Sequence, residues 1–219
     1  SPSVRHTGPV FKQGVPADER TRGSPCSQSD LLEAMEEKQV SVEGKTHALP
    51  QPFFVIATQN PQEQLGTYPL PESQLDRFLM RISLGYPDRN AELQLLRSHG
   101  HREHADALAA QISAQELLEL QQAVLQIHAA EPLLHYIQDL LEATRNGQWF
   151  VQGLSPRAGI ALLRAAKANA LIAGRDYVAP DDVQAIFVQT MAHRLHALAR
   201  AGRGTPEQVR AMLDAIAIP

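Results

Sequence analysis

The run Phe53-Phe54-Val55-Ile56-Ala57 constrains the fold more than any other stretch. It is unbroken, apolar, rich in aromatic and β-branched residues, and opened sharply by Pro50 and Pro52. A strand with one wet face alternates, whereas this run is apolar on both, as a central strand of a parallel sheet covered on both sides would be. Thr58, Gln59 and Asn60 follow as a polar tip, and Pro61 ends the strand. Ligands of open α/β sheets bind beyond the carboxyl ends of the strands, where Asn60 is expected. A loop rich in Pro and Gly leads to a helical pattern from Glu72 to Met80, with Leu75, Phe78 and Leu79 inward and Arg77 among them. Taken alone, these residues give a buried strand ending at a polar site, then a helix bearing an arginine. Asn60 capping a turn and Arg77 pairing on the surface fit that pattern equally well.

Before this run, Val40 and Val42 alternate toward Glu43-Gly44, read as a hairpin turn in which Gly44 supplies positive φ. Leu31, Leu32 and Met35 give one apolar helix face. From Asp88 onward the pattern is helix after helix. Asp88 to His99 is closed by Gly100, and Ser113-Ala114-Gln115-Glu116 is a capping box opening a stripe of Leu117, Leu120, Val124 and His128. Pro132 starts a helix with Leu133, Ile137, Leu140 and Leu141 inward, and Ser155-Pro156 starts one that stops at Gly174. Pro180 begins a long helix carrying Val183, Phe187, Met191 and Leu195, and Thr205-Pro206-Glu207-Gln208 opens the last. No strand is expected in this half.

The 219 residues suffice for one core and a smaller domain. A net charge of −4 argues against nucleic acid as the main partner, and the sparse arginines Arg194, Arg200 and Arg203 read as a solvated helix face. No apolar run approaches the 18 or so residues of a membrane span. The single cysteine, Cys26, fits a reducing compartment, so a cytoplasmic protein is expected. His99, His101 and His104 lack an acidic companion at a zinc spacing and are expected to be structural or solvated.

Four blocks stand in order and spacing across some sixty residues: Leu31-Leu32-Glu33-Ala34-Met35, Phe53 to Pro61, Gly66-Thr67-Tyr68-Pro69-Leu70-Pro71, and Leu75-Asp76-Arg77-Phe78. Together they closely resemble the MoxR family of AAA+ ATPases. That resemblance implies a partial α/β P-loop core over residues 1–87 followed by an all-α helical lid over 88–219. It implies ATP binding and hydrolysis with Mg²⁺, coupled to chaperone-like remodelling or maturation of partner proteins, in an oligomeric ring such as a hexamer. Von Willebrand factor A-domain proteins are the partners it suggests. Carried over by motif, Asp18 and Glu19 fall on the Walker B pair, for Mg²⁺ (through water) and water activation respectively. Asn60 falls on sensor 1, and Arg77 on an arginine finger reaching a neighbour's γ-phosphate. Gly153-Leu154-Ser155-Pro156-Arg157-Ala158 resembles the sensor 2 motif, with leucine where alanine is usual. Arg157 then reads nucleotide bound to its own subunit, at a helix N-terminus already suited to anions.

Two departures stand against this. Gly14-Val15-Pro16-Ala17 precedes Asp18, and Pro16 argues against a regular strand there. No G-x-x-x-x-G-K-[ST] loop is found: Gly44-Lys45-Thr46 has Gln39 where the first glycine belongs. A non-catalytic interaction module is therefore the alternative reading, and a helicase-like nucleic-acid motor is disfavoured by charge. The first prediction follows from the missing cradle of backbone N–H groups. Titration calorimetry of these 219 residues with ATP·Mg²⁺ should detect weak binding or none; a micromolar constant, about −8 kcal/mol, would overturn it.

Overall fold

The computed structural model describes residues 14–17, 34–42, 45–58, 72–97, 109–198 and 204–219. The apolar run forms strand β4, Phe54–Ala57, which pairs in parallel with β1, Gly14–Ala17. The register sets Pro16 opposite Ile56 and Ala17 opposite Ala57, so both strands end together. The expectation that Pro16 would spoil this strand is corrected. β1 has one partner among the described residues, and proline is tolerated where its missing N–H faces away from the ladder. Strands β2 (Gln39–Val42) and β3 (Lys45–Ala48) form the expected hairpin, with Val42 opposite Lys45. Its turn residues, Glu43 and Gly44, lie outside the described residues.

Burial of β4 on both faces is also corrected. Phe53 is buried, but Phe54 and Ile56 are 46% and 58% exposed. One face rests on a small cluster of Ala34, Val40, Leu49 and Phe53, with Val55 packed against it, and the other, with Phe54 and Ile56, is only about half covered. Helix α1 spans only Glu72–Leu75, not Glu72 to Met80; Leu75 and Phe78 are half-buried while Leu79 and Met80 are exposed. Past Leu75 the N–H groups of Arg77 and Phe78 close turns onto Gln74 O and Leu75 O, and Arg81 N–H then bonds far along the sequence, to Gln189 O.

Helix α2 is Arg89–Arg97, capped by the Asp88 carboxylate, which accepts from the N–H groups of Asn90 and Ala91. Helix α3, Ala114–Gln126, has the predicted capping box. Its stripe is shallower than expected: Leu117 and Val124 are half-buried, Leu120 and His128 are exposed, and Ile127 just beyond the helix is buried. Helix α4, Glu131–Arg145, buries Leu133, Tyr136, Ile137 and Leu140. Helix α5, Pro156–Ile172, and α6, Pro180–Met191, pack against each other and against α4 around Leu162, Ala166, Val183 and Phe187. Gly174 stops α5 at φ 74°, where a side chain would be strained. Helix α7, Pro206–Ala215, closes the core with Val209, Met212 and Leu213.

Two further expectations are corrected. Helix α6 ends at Met191, and a 3₁₀ turn, Ala192–Arg194, brings buried Leu195 in on extended backbone. This half also holds strands: β5 (Phe150–Gln152) pairs antiparallel with β6 (His196–Ala197). Both are too short to carry a readable alternation.

The polar anchor of the helical half is Asp182 in the first turn of α6, 1% exposed at its side chain. It accepts both terminal nitrogens of Arg175 at 2.7 and 2.6 Å, Asn169 Nδ2 at 2.8 Å and the Ala179 N–H at 2.8 Å. Burial pushes its carboxyl up, but these donors outweigh burial and hold it below the ordinary aspartate value. A depressed carboxylate stabilises the fold above its unfolded pKa of about 3.9, and that stability is lost as pH falls through the folded value. Urea unfolding should therefore show stability falling below about pH 4, with a shallower fall in Asp182→Asn. At pH 7, Asp182→Ala should cost about 3 kcal/mol, because Arg175 and two amide donors lose their acceptor. A loss under about 0.5 kcal/mol would mean that water replaces the carboxylate.

Candidate functional site

Of the five residues singled out by motif, Asp18, Glu19 and Asn60 lie outside the described residues. They follow β1 and β4 in sequence, and those strands end in register at Ala17 and Ala57. The structure brings the other two together. Arg77 Nη1 lies 2.7 Å from Glu36 Oε2, and Arg157 Nη1 lies 3.0 Å from Glu36 Oε1. One carboxylate thus holds both arginines, one oxygen each. Glu36 stands on the helical turn 34–37, anchored by fully buried Ala34. Arg157 is 60% exposed at its side chain and Arg77 24%, so the bridge opens to solvent on the Arg157 side.

Arg157 is aimed by a short strap. Ser155 caps α5, its hydroxyl accepting from the Ala158 N–H at 3.2 Å, which puts Arg157 in the first turn. The residues before it are pinned to the end of α4. Buried Thr144 donates its hydroxyl to Leu141 O and accepts from the Leu154 N–H at 3.0 Å, and Arg145 Nε donates to Leu154 O at 2.9 Å. Gly153 makes this approach possible: a Cβ there would lie 2.8 Å from Arg145 Cα and would overlap Arg145 Cγ. Leu154, in place of the usual alanine, fills the lid core.

Arg77 is held from both sides. Its ion pair reaches Glu36, while the segment around it docks on the end of α6. The Asp76 carboxylate lies 3.4 Å from Arg194 Nε and 3.5 Å from the Ser155 hydroxyl. Phe78 O accepts from Arg194 Nη2 at 2.8 Å and sits 3.0 Å from His193 Nε2, which also lies 3.3 Å from the Arg194 Nε donor. Arg81 N donates to Gln189 O at 2.8 Å. Burial pulls the Arg194 pKa below its ordinary value; Asp76 opposes the shift and nearby Arg157 adds to it.

Arg194 is therefore not on a solvated face: its side chain is 4% exposed. Sequence reasoning missed it, along with Glu36, Asp76 and His193. Its place between the core positions Met191 and Leu195 was the available signal.

Two guanidiniums gripping one carboxylate can also grip a phosphate, so the described residues fit the anionic end of a nucleotide. Among the described residues no cluster of three His, Cys, Asp or Glu could hold a metal, and Asp18 lies outside them. No described helix is long and apolar enough to cross a membrane.

Residues 3–80 match the family model for ATPases associated with various cellular activities (AAA), and residues 142–214 match the AAA lid domain. The chain is 44% identical over 215 residues to the YeaC protein of Bacillus subtilis, covering 97% of this chain and 67% of YeaC. It is 39% identical over 225 residues to the chaperone MoxR1 of Mycobacterium tuberculosis, covering 97% of this chain and 59% of MoxR1. The crystal structure of a presumed ATPase from Cytophaga hutchinsonii superposes with a TM-score of 0.85 at 38% identity, covering 97% of this chain and 68% of that one. The chain thus spans roughly two thirds of the length of these proteins.

The close approach at Gly153 generates a prediction. Gly153→Ala should destabilise the fold by about 1–3 kcal/mol, since backbone rather than a flexible side-chain tip must give way. Thermal unfolding measures it. A loss below about 0.5 kcal/mol would show that the strap can retreat from α4.

Proposed function

The chain belongs to the MoxR family of AAA+ ATPases, and on that premise we propose that it serves in a chaperone-like ATPase that couples ATP hydrolysis to remodelling or maturation of partner proteins. The observation that carries this reading is the meeting of Arg77 and Arg157 at Glu36. Two like charges gain nothing from proximity unless an anion lies between them, so a site that gathers them is suited to a phosphate. In this reading residues 1–87 are the nucleotide-binding core and 88–219 the lid. Asp18 holds Mg²⁺ through water, Glu19 polarises the attacking water, and Asn60 serves as sensor 1. Bound ATP·Mg²⁺ supplies the phosphoryl group and the charge that these side chains answer. The assembly is a cytoplasmic ring, a hexamer, with von Willebrand factor A-domain proteins among its partners.

The shared carboxylate refines the division of labour. Arginines that share one carboxylate, one oxygen each, are placed to share one phosphate rather than to serve nucleotides on opposite faces of a subunit. If Arg77 reaches across to a neighbour, Arg157 goes with it, instead of reading its own subunit's nucleotide. Mixed rings made from the gene's full reading frame test this. Arg77→Ala should lower hydrolysis by about 10³–10⁵ with nucleotide affinity nearly intact. Mixing Arg77→Ala with Arg157→Ala subunits should recover nothing, because every donor subunit lacks one of the two. Mixing the double mutant with Glu19→Gln subunits should recover activity, because one supplies the water-activating carboxylate and the other both arginines. Recovery in the first mixture would reject the shared phosphate.

A further inference from the structure

We infer that Arg194, assisted by His193, positions Arg77, so that the lid and not only the core sets the arginine finger. This deepens the proposed function and rests on Arg77 having that role. Arg77 lies just beyond a four-residue helix, where its N–H and that of Phe78 close only short turns onto Gln74 O at 3.3 Å and Leu75 O at 3.1 Å. Beyond those turns, three contacts from the lid bracket it among the described residues. The residue before it, Asp76, pairs with Arg194 and meets Ser155. The carbonyl of the residue after it, Phe78, takes Arg194 Nη2 and lies beside His193 Nε2. Four residues on, the Arg81 N–H is tied to Gln189 O.

The chemistry at Arg194 supports positioning over plain stability. Its Nη1 is buried with no hydrogen-bond partner among the described residues, a desolvation cost that an apolar side chain of similar volume would avoid. What an apolar side chain could not do is hold a carboxylate at position 76 and a carbonyl at position 78 with one rigid fork, straddling the finger. Ser155, which meets Asp76, also caps the helix that carries Arg157. A lid displacement that moves Arg157 therefore moves the frame of Arg77 in the same step.

The test uses protein made from the gene's full reading frame, assembled and assayed for ATP turnover. Arg194→Met should lower kcat about 100-fold, the scale of a misplaced catalytic group, with KM changed less than about threefold. Arg194→Lys keeps the charge but not the fork and should recover only part of the loss. The readout that a merely structural role would not move is the double mutant: Arg77→Ala with Arg194→Met should turn over no more slowly than Arg77→Ala alone. Additive losses would overturn the inference, as would an Arg194→Met variant with unchanged kcat. Should Arg194→Met fail to assemble, His193→Leu decides by the same double-mutant comparison, since it removes the ring nitrogen beside Phe78 O. If Arg77→Ala itself turns over normally, it is the assignment of Arg77 that fails, and the inference falls with it; a damaged Arg77→Ala beside a normal Arg194→Met rejects the inference alone.

Discussion

Two positive side chains from distant parts of the chain, Arg77 and Arg157, meet at a single carboxylate, and most of the remaining architecture serves that meeting. Without Glu36 between them the guanidiniums would repel, and each long side chain would regain rotamer freedom in solvent. A bridge this exposed contributes little to stability by itself. Its position must therefore be fixed by the backbones that deliver it: the turn 34–37 on Ala34, the strap before α5, and the segment after α1.

Those three deliveries differ in kind. Glu36 rides on a small cluster of four buried residues, whereas Arg157 starts a helix embedded in the large core that runs from Ile127 to Leu213. Arg77 stands between them, with its side chain toward the small cluster's helical turn and the residues on either side of it held by the lid. Buried polar groups do most of the holding. Thr144 is satisfied in both directions, and Asp182 is surrounded by donors, so each fixes geometry that apolar contact alone would leave loose.

Features set by local chemistry were legible in the sequence. Ser113, Ser155 and Thr205 cap helices where their patterns said they should, and the Val40 to Gly44 pattern gave the hairpin. Features set by what packs on what were not. Phe54 and Ile56 have the composition of a strand covered on both faces, yet composition says nothing of which neighbour is there to cover them. Pro16 looked disqualifying because its cost depends on which side of the strand is paired. Of the site, Arg77 and Arg157 were readable through their motifs. Glu36 was not, because a lone glutamate on a polar turn carries no pattern; only the fold shows two cations converging on it. Arg194 was misread because charge was weighed without the apolar positions on either side of it.

The ribbon of β5 and β6 is the smallest sheet among the described residues, with Phe150 paired to Ala197 and Gln152 to His196. One strand runs straight into Gly153 and the strap that aims Arg157; the other leaves directly from Arg194 and Leu195. Mechanically it is a tie rod between two arms that each carry a guanidinium, Arg157 to Glu36 and Arg194 to the segment that bears Arg77. Few hydrogen bonds make the tie, but Phe150 at one end and Leu195 beside the other are buried in the main core, so the tie is held by packing as well. A change that shifts one arm therefore reaches the other through the core and not through a loose linker.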